Sequence, residues 1–280
     1  MTNGVAAAIL FAALLHASWN ALIKRRDQDA MIATIGIAAA AALISLVILP
    51  FVPAPAAASW PFLAASTLPQ IAYYFLIGKI YRTADLGLAY PVMRGTAPLF
   101  VTVANALLFG EILSPLGLLG IASISGGIFL IAGGRLRRAH SGTTVMMAIG
   151  TAIVIASYTV LDGIGVRLSG SPVAYTLWIF FLTGLPMAGW GLLRHRTQLL
   201  QSIRSSPWTP LGGGGASLLS YGIAVWAMTR APVAAVAALR ETSILFATLI
   251  SMVLLREKAT WDRIAAAILL TAGAVAIRLS

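Results

Sequence analysis

The sequence predicts an all-α integral membrane protein of ten transmembrane helices, arranged as two inverted five-helix repeats. Three observations predict it. The chain of 280 residues is 59% hydrophobic and only 10% charged, with a mean hydropathy of +0.92, more apolar than a soluble domain of ordinary composition. Ten apolar runs follow one another, each long enough to cross a bilayer at about 20 helical residues. Finally, residues 82–131 overlay residues 228–277 without a gap. In that overlay Arg94, Thr96, Leu99, Phe100, Thr102, Leu108 and Glu111 meet identical residues at 240, 242, 245, 246, 248, 254 and 257. Such self-similarity at a fixed offset marks duplicated architecture.

The runs lie near residues 4–23, 30–51, 60–81, 84–109, 114–134, 144–166, 172–193, 208–229, 231–255 and 260–279. Helices are expected because open strands leave backbone amides unsatisfied in lipid. The first run has its basic residues (Lys24, Arg25, Arg26) after the apolar stretch, so it reads as a retained helix and not a secretion signal. Between the runs the breaks are short, and RHRTQLLQSIRSSP reads as a loop. The natural division falls at 135–143, giving an N-terminal repeat over 1–134 and a C-terminal repeat over 144–280 that together form one transport domain. Five is odd, so the second repeat must sit inverted against the first. Pro69, Pro91, Pro98 and Pro186 fall inside runs, and proline in a membrane helix is expected to bend it.

Lys and Arg alternate between loops: fourteen follow the odd-numbered runs and three (Arg167, Arg230, Arg278) the even-numbered ones. This bias puts both termini outside the cytoplasm. The formal charge of +11 is therefore orientation charge; no basic cluster is interleaved with aromatics, which excludes a nucleic-acid partner. The sequence has no cysteine, which excludes disulfides, thiolate metal sites and a cysteine nucleophile. Its three histidines are His16, His140 and His195, the last two in loops, so no metal site and no cofactor is expected. An enzyme is not expected either, because no pair of side chains is placed for hydrolysis within the membrane.

Charge at mid-membrane is costly and marks function or a structural tie. Only Arg94, Arg240 and Glu241 fall clearly at mid-depth, with Asp162 nearer a helix end. Each arginine has two readings: a buried tie, to Glu241 or to carbonyls freed by the prolines, or a fork for a substrate carboxylate or phosphate. In the first run His16, Trp19 and Asn20 share a helical face that is expected to border a cavity. For proton coupling only His16, Glu241 and Asp162 are on hand, and His16 is the better candidate, since free imidazole titrates near neutrality. Tyr74, Tyr90, Tyr158 and Trp178 are expected to wall the same cavity, whereas Trp60, Tyr81, Trp190, Trp208 and Trp261 fit the aromatic belts of the membrane interface.

Ten helices in two fives, each fourth helix running into Gly110–Glu111 or Arg256–Glu257, resemble the drug/metabolite transporter superfamily, EamA type. The segment AYPVMRGTAPLF is similar to the fourth helix of bacterial amino-acid exporters in that group, the aromatic branch included. The resemblance implies a monomeric secondary transporter in the bacterial inner membrane. Its substrate would be a small metabolite, amino acids first, exported by alternating access through a central cavity, with membrane lipid around it. Nucleosides, drugs or a non-transporting scaffold are the alternatives. Small four-helix drug exporters of the same superfamily use a first-helix glutamate; the first run here has His16 and no carboxylate.

Overall fold

The computed structural model describes residues 1–24, 29–84, 86–137, 142–254 and 260–280, without the side chains of 19–24, 81, 86, 134–137 and 250–254. Trp19 and Asn20 thus lie outside the described side chains, and Arg256 and Glu257 outside the described residues.

The described residues form α1 (Asn3–Lys24), α2 (Ala30–Ile48), α3 (Trp60–Thr83), α4 (Leu86–Phe109), α5 (Pro115–Arg137), α6 (Gly142–Ser169), α7 (Pro172–Arg194), α8 (Arg196–Ser205), α9 (Trp208–Ala227), α10 (Val233–Arg240), α11 (Ser243–Leu254) and α12 (Trp261–Leu279). Two short 3-10 turns, Leu49–Phe51 and Ala57–Ser59, join α2 to α3. Helix ends carry their expected caps. Asp29 accepts from the Met31 amide at 2.8 Å, and Ser171 accepts from Ala174 at 3.3 Å with Pro172 opening α7. Past α4 and α6, Gly110 and Gly170 take φ of 63° and 66°, the left-handed conformation that closes a helix most cheaply at glycine.

Among the described residues every expected apolar run is helical, with two corrections. The run 231–255 is not one helix, because it breaks between α10 and α11. The segment read as a loop contains α8. That helix escaped notice because it is polar on most of its surface; Leu199 is its one buried residue. The prolines, in contrast, end nothing: α3, α4 and α7 run unbroken through Pro69, Pro91, Pro98 and Pro186.

By length and composition, five helical stretches are long and apolar enough to cross a membrane: Ala30–Phe51, Gly87–Phe109, Pro115–Gly133, Gly142–Ser169 and Pro172–Arg194. α3, α9 and α12 have 24, 20 and 19 residues. α10 and α11, with 8 and 12 residues, are each too short alone because of the break.

The packing partners are α5 with α12, α2 with α7, α3 and α4 with α6, and α1 with α9, α10 and α11. Small residues bring these helices together, as helix association in lipid requires. A methyl on Gly120 of α5 would lie 2.8 Å from the Gly273 carbonyl oxygen of α12, and one on Gly273 would lie 2.6 Å from that of Gly120. Large apolar side chains face outward instead: Val47, Leu68, Leu107, Ile112, Leu193 and Ile268 are exposed, while Asp162, Arg94 and Glu241 are buried. Apolar outside and charged inside suits a lipid solvent. Both chain ends meet, for Arg278 donates to the Asn3 side chain from Nε at 2.9 Å and from Nη2 at 2.6 Å.

Candidate functional site

The break between α10 and α11 is buried at Glu241, Thr242 and Ser243. There the Glu241 amide donates to Ala238 O at 3.0 Å, Thr242 to Leu239 O at 3.1 Å and Ile244 to Glu241 O at 3.0 Å, each one residue shorter than the α-helical pattern. The α pattern returns with Phe246 donating to Thr242 O at 3.2 Å. The Thr242 hydroxyl donates to Leu239 O at 2.7 Å, a side-chain bond that competes with the backbone ladder. A tight 3-10 turn inside an otherwise helical run is a hinge element.

Arg94 of α4 ties both sides of this turn. Its Nε lies 2.7 Å from Glu241 Oε2, and its Nη2 donates to Ser243 Oγ at 3.5 Å. The Nε contact is one of charge and not an aligned hydrogen bond, since neither atom has a hydrogen-bond partner of good geometry. Both residues are 4% exposed. Such a pair contributes little net stability when intact, but losing either member strands a charge in a low dielectric.

Arg240 is placed differently. Its guanidinium carbon stands 4.9 Å from the ring centre of Tyr221, a cation–π contact. Among the described residues the only ion pairs are Arg94–Glu241 and Arg167–Glu111, so no carboxylate comes within 4.0 Å of Arg240. Below the same ring, the Tyr221 hydroxyl donates to Asp162 Oδ2. Tyr175 donates to Asp162 Oδ1 at 3.2 Å, and Gln70 Nε2 to Oδ2 at 3.0 Å. Gln70 Nε2 also donates to Ser66 Oγ at 3.2 Å. Tyrosines continue the network edge to face: Tyr73 with Tyr158 at 6.0 Å between centroids and Tyr158 with Tyr221 at 6.3 Å. Tyr90 lies under Arg94, 5.9 Å from its guanidinium carbon. His16 of α1 is near enough to Arg94 and Arg240 to feel both charges.

Between these groups runs a narrow cleft bordered by Arg94, Pro98, Tyr158, Arg240 and Glu241, with a volume of about 10 Å³. That is the room of one water, so in this conformation the helices close over the site. A larger hollow of about 200 Å³ opens at the end where the chain termini meet, among Met1, Leu113, Pro232, Ala235 and Ser280. Ala235 lines the hollow and Ala237 the cleft, so one stretch of α10 separates them. A clasp holds that end of α10. Arg167 Nη2 meets Glu111 Oε1 at 3.0 Å and donates to Ala231 O at 3.2 Å, Arg167 Nε donates to Met228 O at 2.9 Å, and Glu111 Oε2 accepts from the Val233 amide at 3.4 Å.

Of the residues singled out in the sequence, Tyr90, Arg94, Tyr158, Arg240 and Glu241 come together, with His16 beside them. Tyr74 touches Tyr73 at 5.9 Å but packs on the second apolar cluster, with Met31, Ile32 and Met187. Trp178 makes ring contacts with Trp60 at 4.9 Å and Phe181 at 5.8 Å, apart from the tyrosine chain. Ser66 and Tyr175 carry no signal of their own in the sequence, Gln70, Tyr73 and Tyr221 read only as polar or aromatic residues at interior depth, and Asp162 reads as a proton candidate and not as part of the site. Helical spacing held the signal: Ser66, Gln70 and Tyr73 are i, i+4 and i+7 on α3, and Tyr158 and Asp162 are i and i+4 on α6.

A protein of known crystal structure has a similar fold, with a TM-score of 0.75 over 99% of this chain and 98% of that one at 19% sequence identity. Residues 142–279 match the EamA-like transporter family. On that match the chain belongs to the EamA-like transporter family: it is a multi-pass membrane transporter and not an enzyme.

Proposed function

We propose that this transporter carries small metabolites bearing a carboxylate, amino acids first among them, across the bacterial inner membrane by alternating access, in the export direction and as a monomer. The observation that carries this reading is Arg240: a guanidinium at the border of the central cleft, resting on Tyr221 and paired with no carboxylate among the described residues. Arginine's planar fork matches a carboxylate with two parallel hydrogen bonds, and the neighbouring tyrosine rings supply an apolar wall for a side chain.

The mechanism we propose rests on two inverted repeats, 1–134 and 144–280. Exchanging the halves maps each major helix contact onto itself or onto another: α2 with α7 and α5 with α12 map onto themselves, α3 with α6 onto α9 with α1, and α4 with α6 onto α10 and α11 with α1. That correspondence supports rocking of one repeat against the other around a fixed midplane site. The hinge at Glu241 and Thr242 and the clasp between Glu111 and Arg167 are the elements such motion would use.

Counterflow in proteoliposomes tests the reading. Liposomes loaded with neutral amino acids should draw in labelled L-phenylalanine, and loading with phenethylamine, which lacks the carboxylate, should not. Counterflow driven by nucleosides or organic cations in place of amino acids would overturn it.

A further inference from the structure

Asp162 is the one carboxylate among the described residues that is wholly buried yet has no cation within 4.0 Å. Four elements converge on it. From α3 come Gln70 and Ser66, themselves hydrogen-bonded; from α7 comes Tyr175; from α9 comes Tyr221. From α10 comes Arg240, over the ring of the same Tyr221. The remaining charged neighbours are already engaged, since Arg94 of α4 pairs with Glu241, and Arg167 at the end of α6 pairs with Glu111. Tyr158 stands one turn earlier on its own helix, and the turn Ala57–Ser59 packed against α6 has no ionisable side chain.

A carboxylate sealed at this depth needs its charge balanced. Among the described residues, Arg240 is the cation that shares a phenol ring with it: the face of Tyr221 carries the guanidinium, and its hydroxyl holds the carboxylate. A carboxylate arriving at Arg240 cancels that positive charge and draws the guanidinium from the ring. Asp162 is then left buried without a countercharge, and taking a proton from water restores neutrality.

We propose that Asp162 is a proton site linked through Tyr221 to Arg240, so that a carboxylate substrate and a proton occupy the transporter, and cross, together. This rests on Arg240 as the carboxylate anchor. Binding at each site favours binding at the other, since linkage is reciprocal. The proton enters as Asp162 Oδ accepts it from water on the side where the site opens, and it returns to water on the other side as the substrate leaves. Net flux follows the sum of the two gradients, and efflux runs where the substrate gradient outweighs that of the proton. His16 suits the role less well: a proton there sets a third positive charge beside Arg94 and Arg240, whereas a proton on Asp162 removes a negative one.

The test is proton uptake on binding. Purified transporter in weakly buffered detergent solution is mixed with L-phenylalanine, and a pH indicator follows the protons. Wild type should take up about one proton per substrate bound, and its affinity should change by about 5-fold or more with pH, the usual size of a coupling between sites. Asp162→Asn should bind L-phenylalanine with no proton uptake and no pH dependence. Tyr221→Phe keeps the ring under Arg240 and removes only the hydroxyl, so it should bind substrate with reduced uptake; it decides the matter if Asp162→Asn fails to fold. His16→Asn should still take up about one proton for each substrate it binds. Binding by wild type without proton uptake, or uptake that survives in Asp162→Asn and vanishes in His16→Asn, overturns this inference alone. Failure of wild type to bind L-phenylalanine while binding phenethylamine overturns the carboxylate reading of Arg240 and the inference with it.

Discussion

Residues 86–109 and 232–255 align without a gap in the sequence, yet the first stretch is a single helix and the second holds two, α10 and α11. The copy that carries prolines, Pro91 and Pro98, is the unbroken one; their counterparts in the second copy are Ala237 and Ile244. What separates the copies is the residue after the shared arginine: Gly95 in the first, Glu241 in the second. Gly95 faces α5, where a methyl would lie 3.1 Å from the Phe129 ring. Glu241 is turned by the 3-10 segment toward Arg94, 2.7 Å away. The carboxylate of one copy therefore neutralises the arginine of the other. The first copy has glycine where a return carboxylate would have to stand, and among the described residues Arg240 has no carboxylate partner. A duplicated arginine thus becomes one tie and one open fork.

The largest effect is expected from breaking the tie. Glu241→Leu strands Arg94 in the interior and should lower stability by about 3–5 kcal/mol, read as loss of folded protein and a lower melting temperature in detergent. The double variant with Arg94→Met should recover most of that loss, because replacing a buried ion pair by apolar groups of similar volume is often neutral. No recovery in the double variant would mean that the turn needs the pair itself and not merely charge balance.

Conservative replacement of each arginine should then split the two roles. Arg240→Lys should keep the melting temperature and lose about tenfold or more in L-phenylalanine affinity, since a point charge cannot reproduce a bidentate fork. Arg94→Lys should lower the melting temperature, because it gives up the reach to both Glu241 and Ser243. Equal behaviour of the two variants in both assays would erase the distinction between tie and fork.

The smallest effect is expected at the clasp. The Arg167 and Glu111 side chains are 41% and 24% exposed, so Arg167→Ala should cost no more than about 1 kcal/mol. Its mark should be kinetic, as faster labelling of a cysteine placed at Ala237 from the side of the chain termini. Unchanged labelling would separate the clasp from access to the cleft.

Local sequence is enough to mark the apolar helices, the self-similar stretches and the charged residues that membrane depth makes costly. Each of these is a property of a residue and its neighbours along the chain: hydropathy sets whether a run stays in lipid, and a buried arginine is expensive wherever the helix packs. It did not determine α8, whose buried face is little more than Leu199. The break at Glu241 was also hidden, for that stretch contains neither proline nor glycine. Its turn depends on an arginine arriving from a helix some 150 residues earlier in the chain. Asp162 shows the same limit. Along the chain it reads as a residue near a helix end, and only the packing of α3, α7 and α9 against α6 surrounds it with donors. Which charge is paired and which stays open is set by distances between helices, because Coulomb energy and hydrogen bonding fall off over a few ångströms while the partners lie far apart in sequence; tertiary structure alone made Arg94 the tie and left Arg240 open.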